Sequence, residues 1–308
     1  MRLTRTIPLL FAALFTISAD AGLLEGLAER AAKKFAESAD RMASEHRGNG
    51  LLQPGRDAPL APQADGFSGC PQVFPRASVV DVAKVDRRWG AVALCSNQFA
   101  VIHSSLSKTP LLVVERLNSA MLRDAVGEPR SDEFYPDPRL ARGTRAELRD
   151  YVGSGLDRGH LFAAANSVDQ QSMIQSFALS NMIPQDPTSN RKGAWFKAES
   201  DTRKFVRRAQ GDVFIFSGPL FLGPVRTIGA NKVWVPSHMF KLVFDEASGR
   251  IWAHVIANTA DAMLGAPITY DEFVAQTGWQ ILASGQQVAA RAPSNKSMSA
   301  GLRTVSAP

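Results

Sequence analysis

Between residues 70 and 291 the apolar positions come in short runs rich in β-branched and aromatic side chains, at 99–103, 111–117, 213–217, 232–235, 240–244 and 251–256. Runs of that length, separated by turn-forming residues, predict strands of an antiparallel sheet joined by hairpins, and DEASG at 245–249 is one such link. Three stretches carry a three-to-four spacing instead and predict helices: 168–177, 270–277, and 192–209 with Trp195, Ala198, Phe205, Val206 and Ala209 near one face. Strands and helices do not alternate regularly, which disfavours a doubly wound parallel sheet. The predicted class is α+β, a central antiparallel sheet with flanking helices.

Outside that span the pattern changes. Arg2 and Arg5 precede an apolar stretch at 8–18 and an Ala-x-Ala site at 19–21, which reads as a secretory signal cleaved after Ala21. The stretch is too short to cross roughly 30 Å of hydrocarbon, and no later run reaches about 18 apolar residues. The expectation is therefore an exported protein, periplasmic or secreted, with no stable membrane insertion after cleavage. Residues 22–46, with Leu23, Leu24, Leu27, Ala31 and Phe35 between charged positions, predict an amphipathic helix. Residues 47–69 are rich in Gly and Pro and predict a linker; 70–291 is the expected globular domain, and 292–308 lacks periodicity and is expected to be a disordered tail.

Composition narrows the function. With 45% hydrophobic residues in 308 the chain can bury a sizeable core, so disorder as the main state is excluded. A net charge of +6 is compatible with a polyanionic partner without requiring one. The five histidines include no ligand pair at three-to-five spacing, which excludes classical zinc fingers and HExxH metalloproteases. In an oxidising compartment the two cysteines, Cys70 and Cys95, can pair, and the closed loop would contribute roughly 3 kcal/mol.

The densest chemistry lies in DYVGSGLDRGH at 150–160. Glycines let the backbone turn tightly and bring a carboxylate (Asp157), a guanidinium (Arg158) and an imidazole (His160) within a few residues. Those are parts a phosphodiester hydrolase needs: a base for water, a cation for phosphate charge and an acceptor to orient either. Downstream, SNMIPQ at 180–185 and SNRKGAW at 189–195 are followed by Glu199 and Arg203. Their oxygen donors suit a hard cation better than zinc. Taken singly, each residue is more often a cap, a salt bridge or a core histidine.

In this order the three motifs resemble the DNA/RNA non-specific endonucleases of the ββα-metal superfamily. Weaker similarity runs from about Leu94 to Asn258, through LCSNQFAVIHS, VFIFSGPLF and VWVPSHMFKLVF. The resemblance implies a ββα-metal active-site motif, His160 as general base, and Asn190 as the direct protein ligand of one Mg²⁺, with Mn²⁺ as a substitute. It further implies that Arg158 stabilises the charged transition state and that Asn181 and Glu199 orient the base, the metal waters or the phosphate. Asp157 matches the motif and could hold the turn; Arg130, in EPRSDEFYPDP, matches a phosphate-binding arginine at loose spacing, and Arg203 is a candidate substrate contact. One departure stands out. Four residues separate Asn190 from Trp195 where the family pattern usually has three, an excess to be absorbed before the helix or as a π-bulge within it.

The expected activity is hydrolysis of internal phosphodiesters in DNA and RNA through backbone contacts, leaving 5′-phosphates. Two rivals remain at this stage: a nuclease-like fold that binds nucleic acid without cutting, and a phosphodiesterase acting on small nucleotides. The sequence names no protein inhibitor and leaves homodimerisation open.

Overall fold

The computed structural model describes residues 66–283. The expected signal segment, the 22–46 helix and the 292–308 tail lie outside the described residues.

Six strands, numbered along the chain, form one antiparallel sheet: β1 (Ala91–Cys95), β2 (Phe99–Ser104), β3 (Pro110–Leu117), β6 (Val213–Leu220), β9 (His238–Asp245) and β10 (Arg250–Ala257), in the order β1-β2-β3-β6-β9-β10. Five of the six expected apolar runs fall in its strands, and DEASG is the β9–β10 hairpin, with Asp245 opposite Arg250. The sixth, 232–235, pairs instead as β8 (Val233–Val235) with β7 (Arg226–Ile228). Strand β1 was not foreseen, because its alanines carry little strand preference.

Alternation along the strands gives the sheet two covered faces. On one, Ile102, Leu112, Val114, Phe214, Phe216, Phe240 and Leu242 pack beneath Phe273, which comes from a helix at Tyr270–Thr277. On the other, Val101, Val113 and Met239 meet Leu161, Phe162, Ile183, Trp195 and Ala198. This second face carries the elements with the chemistry.

Helix α1 (Ser119–Asp124) and the one-turn α2 (Leu148–Tyr151) lead into β4 (Asp157–His160), which pairs antiparallel with β5 (Met182–Gln185). Between them lies α3 (Gln170–Ser176), with Asp169 accepting the Ser172 N–H as its N-cap. Gly159 is required at the strand pair, since a Cβ there would lie 2.6 Å from the Gln185 Cβ. After β5, α4 (Pro187–Arg191) turns directly into α5 (Ala194–Val206), whose Trp195, Ala198, Thr202 and Val206 form the buried stripe. The chain turns at Lys192–Gly193 ahead of α5, and α5 itself runs without a π-bulge. A Cβ at Gly193 would sit 2.8 Å from the Ser189 Cα, so only glycine permits so close a return.

Cys70 and Cys95 are joined, with Cα atoms 5.7 Å apart, tying the start of the described chain to the end of β1.

Candidate active site

Strand β4, helices α4 and α5 and the segments at 130–134 and 163–165 converge on one cavity of ≈ 460 Å³, lined among others by Arg130, Phe134, Asp157, Arg158, His160, Asn190, Arg191, Glu199 and Arg203. Residues 158 and 160 are two apart on β4 and so share a face. Asn190 arrives on α4 and Glu199 and Arg203 on α5, so residues distant in the chain become wall neighbours.

His160 is set by its packing. Its ring makes an edge contact with Phe177, centroids 4.9 Å apart, and a tilted one with Phe134 at 5.7 Å. Its Nε2 is enclosed without a hydrogen-bond partner, which leaves Nδ1 as the ring nitrogen available to the cavity. Burial, reinforced by the charges of Arg130 and Arg158, lowers its pKa to about 3, so the imidazole is neutral at pH 7. Its unfolded value is near 6.5, so protonation favours unfolding. The stability linked to the neutral ring is complete above pH 6.5 and is lost as the pH falls toward 3. His160→Asn is therefore expected to flatten the acid-side loss of unfolding free energy in urea titrations between pH 6 and pH 4, relative to the parent; identical slopes would contradict the buried neutral ring.

The guanidiniums are held by aromatic faces. Arg158 lies 4.0 Å from the Phe134 centroid and Arg130 5.0 Å from that of Phe177. Four arginines in the wall face two carboxylates, Asp157 and Glu199, so the cavity favours an anion.

Asp157 fastens β4 to α4. Its Oδ2 accepts from the Asn190 Nδ2 at 2.9 Å, and Arg191 reaches both of its oxygens, at 2.8 and 2.6 Å. Burial works to raise its pKa, but the bonds from Arg191 and Asn190 outweigh it and hold the carboxyl below its ordinary value. An ionised carboxylate only accepts, so the Asn190 amide must turn its NH₂ to Asp157, which leaves Oδ1 for the cavity. Among the described residues no three His, Cys, Asp or Glu side chains gather as a metal cage. One amide oxygen beside open cavity suits a hard cation that keeps most of its water.

Asn181 is elsewhere. Its Oδ1 accepts from the Phe162 N–H at 2.8 Å and its Nδ2 donates to the carbonyls of Phe162 and Ser176, so the buried amide is spent on backbone. It does not line the cavity; it clamps the segment that follows His160, so any part it has in orienting the base is exerted through the backbone and not by touching water or phosphate. Sequence reasoning also missed Arg191, which adjoins Asn190, and Phe134, which lies in the same stretch as Arg130.

The sequence model of the DNA/RNA non-specific endonucleases matches residues 83–286. The chain belongs to that family. Among curated relatives, human mitochondrial endonuclease G is 38% identical over 162 residues, covering 49% of this chain and 54% of the relative. Bovine mitochondrial endonuclease G is 34% identical, covering 66% and 72%, and human mitochondrial nuclease EXOG is 32% identical, covering 60% and 50%. This chain thus spans about half the length of the human relatives. A crystal structure of the EndoG/EndoGI complex shares the fold, with TM-score 0.57 and 25% identity over 64% of this chain and 86% of the other.

These family members correct one expectation. The relatives named above are mitochondrial nucleases, which overturns the periplasmic or secreted localisation read from residues 1–21. The argument that Cys70 and Cys95 pair because of an exported compartment goes with it. Their pairing now stands on their placement alone.

Proposed function

We propose that this chain hydrolyses internal phosphodiesters of DNA and RNA with one divalent cation, Mg²⁺ in the first place. The observation that carries the reading is the convergence of His160, Asn190, Arg158 and Glu199 on a single anion-favouring cavity.

A backbone phosphate enters against Arg158 and Arg130, whose guanidiniums are already oriented by Phe134 and Phe177. Its negative charge offsets theirs and raises the proton affinity of the neutral His160 ring. Nδ1 of His160 then takes a proton from water as the oxygen attacks phosphorus in line with the leaving 3′-oxygen, so the product carries a 5′-phosphate. Arg158 stabilises the charge that develops on the phosphoryl oxygens. Asn190 Oδ1 would hold the cation, with Asp157 fixing the amide's orientation; when bound, the ion would offset charge on the leaving oxygen. Contacts to phosphate carry no direct base information, which accounts for cleavage of both nucleic acids. The neighbour solved with EndoGI supports a protein inhibitor as a further partner class.

The test is digestion of plasmid DNA and total RNA by the chain at millimolar Mg²⁺, with EDTA, and across a salt series. Both polymers are expected to be cut to ends that DNA ligase can rejoin in the plasmid case, EDTA to stop the reaction, and rising salt to weaken it. Cleavage indifferent to EDTA would contradict the mechanism. A gel shift without cleavage would favour a binding module, and turnover of bis-p-nitrophenyl phosphate alone would favour a small-nucleotide phosphodiesterase.

A further inference from the structure

Behind the cavity, the sheet face under α5 carries charges where the strand pattern calls for apolar residues. Lys241 on β9 is 2% exposed and Glu115 on β3 is 2% exposed, each within a strand whose neighbours are core. Ser217 on β6 pairs directly with Lys241, and its Oγ accepts from the Lys241 Nζ at 2.8 Å. The ammonium also lies 4.6 Å from the centre of the Trp195 ring. That indole N–H donates to the His160 carbonyl at 3.2 Å and also favours the Glu199 carboxylate.

Glu115 and Glu199 are both acted on by the Lys241 charge. Asn166 joins the cluster, giving its Nδ2 to Glu115 at 2.9 Å and receiving Arg203 at 3.5 Å, and Arg203 lies 4.0 Å from Glu199. Arg130 faces Glu199 from the cavity side, and His254 on β10 stands opposite Lys241. Two acids and two bases thus share an enclosed layer, of which Glu199 and Arg203 reach the cavity wall. A buried charge this costly to desolvate is retained only when it is matched by others.

We infer that Lys241 is a positioning residue for the proposed reaction: its ammonium, seated on Ser217 and the Trp195 face in the same enclosed layer as Glu115, Arg203 and Glu199, supplies the positive charge that fixes the Glu199 carboxylate at the back wall of the cavity, and its seat on Trp195 steadies the strand end that carries His160. The inference rests on the reading of Glu199 as a working carboxylate of that cavity. Burial pushes Glu199 and Glu115 up, Glu115 to about 7, and Lys241 counters both. Without the ammonium, one of the two acids takes up a proton.

The experiment compares the parent with K241M, E115Q and K241M/E115Q. Methionine keeps an unbranched stem over Trp195, and glutamine keeps an acceptor for Asn166, so each variant removes charge at nearly constant shape. Circular dichroism and thermal unfolding report the fold. Side-chain ¹³C titration of Glu199, assigned with E199Q, reads its ionisation whether or not the protein cuts. K241M is expected to raise the Glu199 titration by about one pH unit or more, E115Q to lower it, and the double variant to return it toward the parent. In plasmid cleavage at pH 7, K241M should lose roughly 10–100-fold in kcat with little change in KM, and the double variant should recover about tenfold of that. A Glu199 titration unmoved by K241M, or a double variant no better than K241M, overturns the inference. If K241M does not fold, E115Q decides: a Glu199 titration that fails to fall overturns it. Should the titrations move as expected while the parent shows no Mg²⁺-dependent cleavage, the charge coupling stands and the endonuclease reading fails.

Discussion

Replacing His160 by alanine is expected to lower kcat for plasmid cleavage by about three to four orders of magnitude, with KM within roughly threefold of the parent. The asymmetry follows from the separation of tasks in the cavity. Arg130 and Arg158 are held by the faces of Phe177 and Phe134, so phosphate binding survives the loss of the imidazole. The only neutral, lone-pair-bearing ring nitrogen offered to the cavity by the proposed motif disappears with the substitution. His160 packs through its ring against Phe134 and Phe177 and makes none of the sheet's apolar contacts, so the variant should keep its far-ultraviolet circular dichroism. A kcat within tenfold of the parent in a folded variant would remove His160 as the base.

Asn190→Ala should have the second largest effect: a loss of about 100-fold or more in rate at limiting Mg²⁺, with the concentration for half-maximal rate raised more than about tenfold. Asp157→Asn should produce a milder form of the same defect. A neutral amide there can no longer draw in Arg191 as an ion pair, and the orientation of the Asn190 side chain loses its anchor. The Mg²⁺ dependence of initial rates measures both. Equal half-maximal concentrations in parent and Asn190→Ala would show that the amide oxygen does not hold the ion.

Much of this was open to reading because the relevant patterns are local. The sheet could be seen in short apolar runs such as 240–244, and α5 in the spacing of Trp195, Ala198 and Val206. The cavity residues could be gathered because DRGH and SNRKGAW are contiguous motifs, each holding its polar side chains within a few positions. What stayed hidden depends on contacts across the chain. Strands β4 and β5 have no apolar alternation, since β4 carries polar site residues on one face and Gly159 meets Gln185 on the other. Asn181 looked like a site residue because its motif travels with the site; only the backbone of Phe162 and Ser176 shows what its amide does. Lys241 was visible as a charge inside an apolar strand, yet its partners lie on β3, β6 and α5. The localisation read from the N-terminal residues failed for a different reason. Basic residues followed by an apolar run are shared by segments with different destinations, and the relatives, not the pattern, separate them.

The claim on which the mechanism rests is that the Asn190 amide oxygen and the His160 imidazole serve one hydrated cation. Anomalous diffraction from crystals soaked in Mn²⁺ tests it most directly. The account predicts one strong peak in the cavity bounded by Arg158, His160 and Glu199, in contact with Asn190 Oδ1, and its loss in Asn190→Ala. A Mn²⁺ peak bound elsewhere, with that cavity empty, would contradict it.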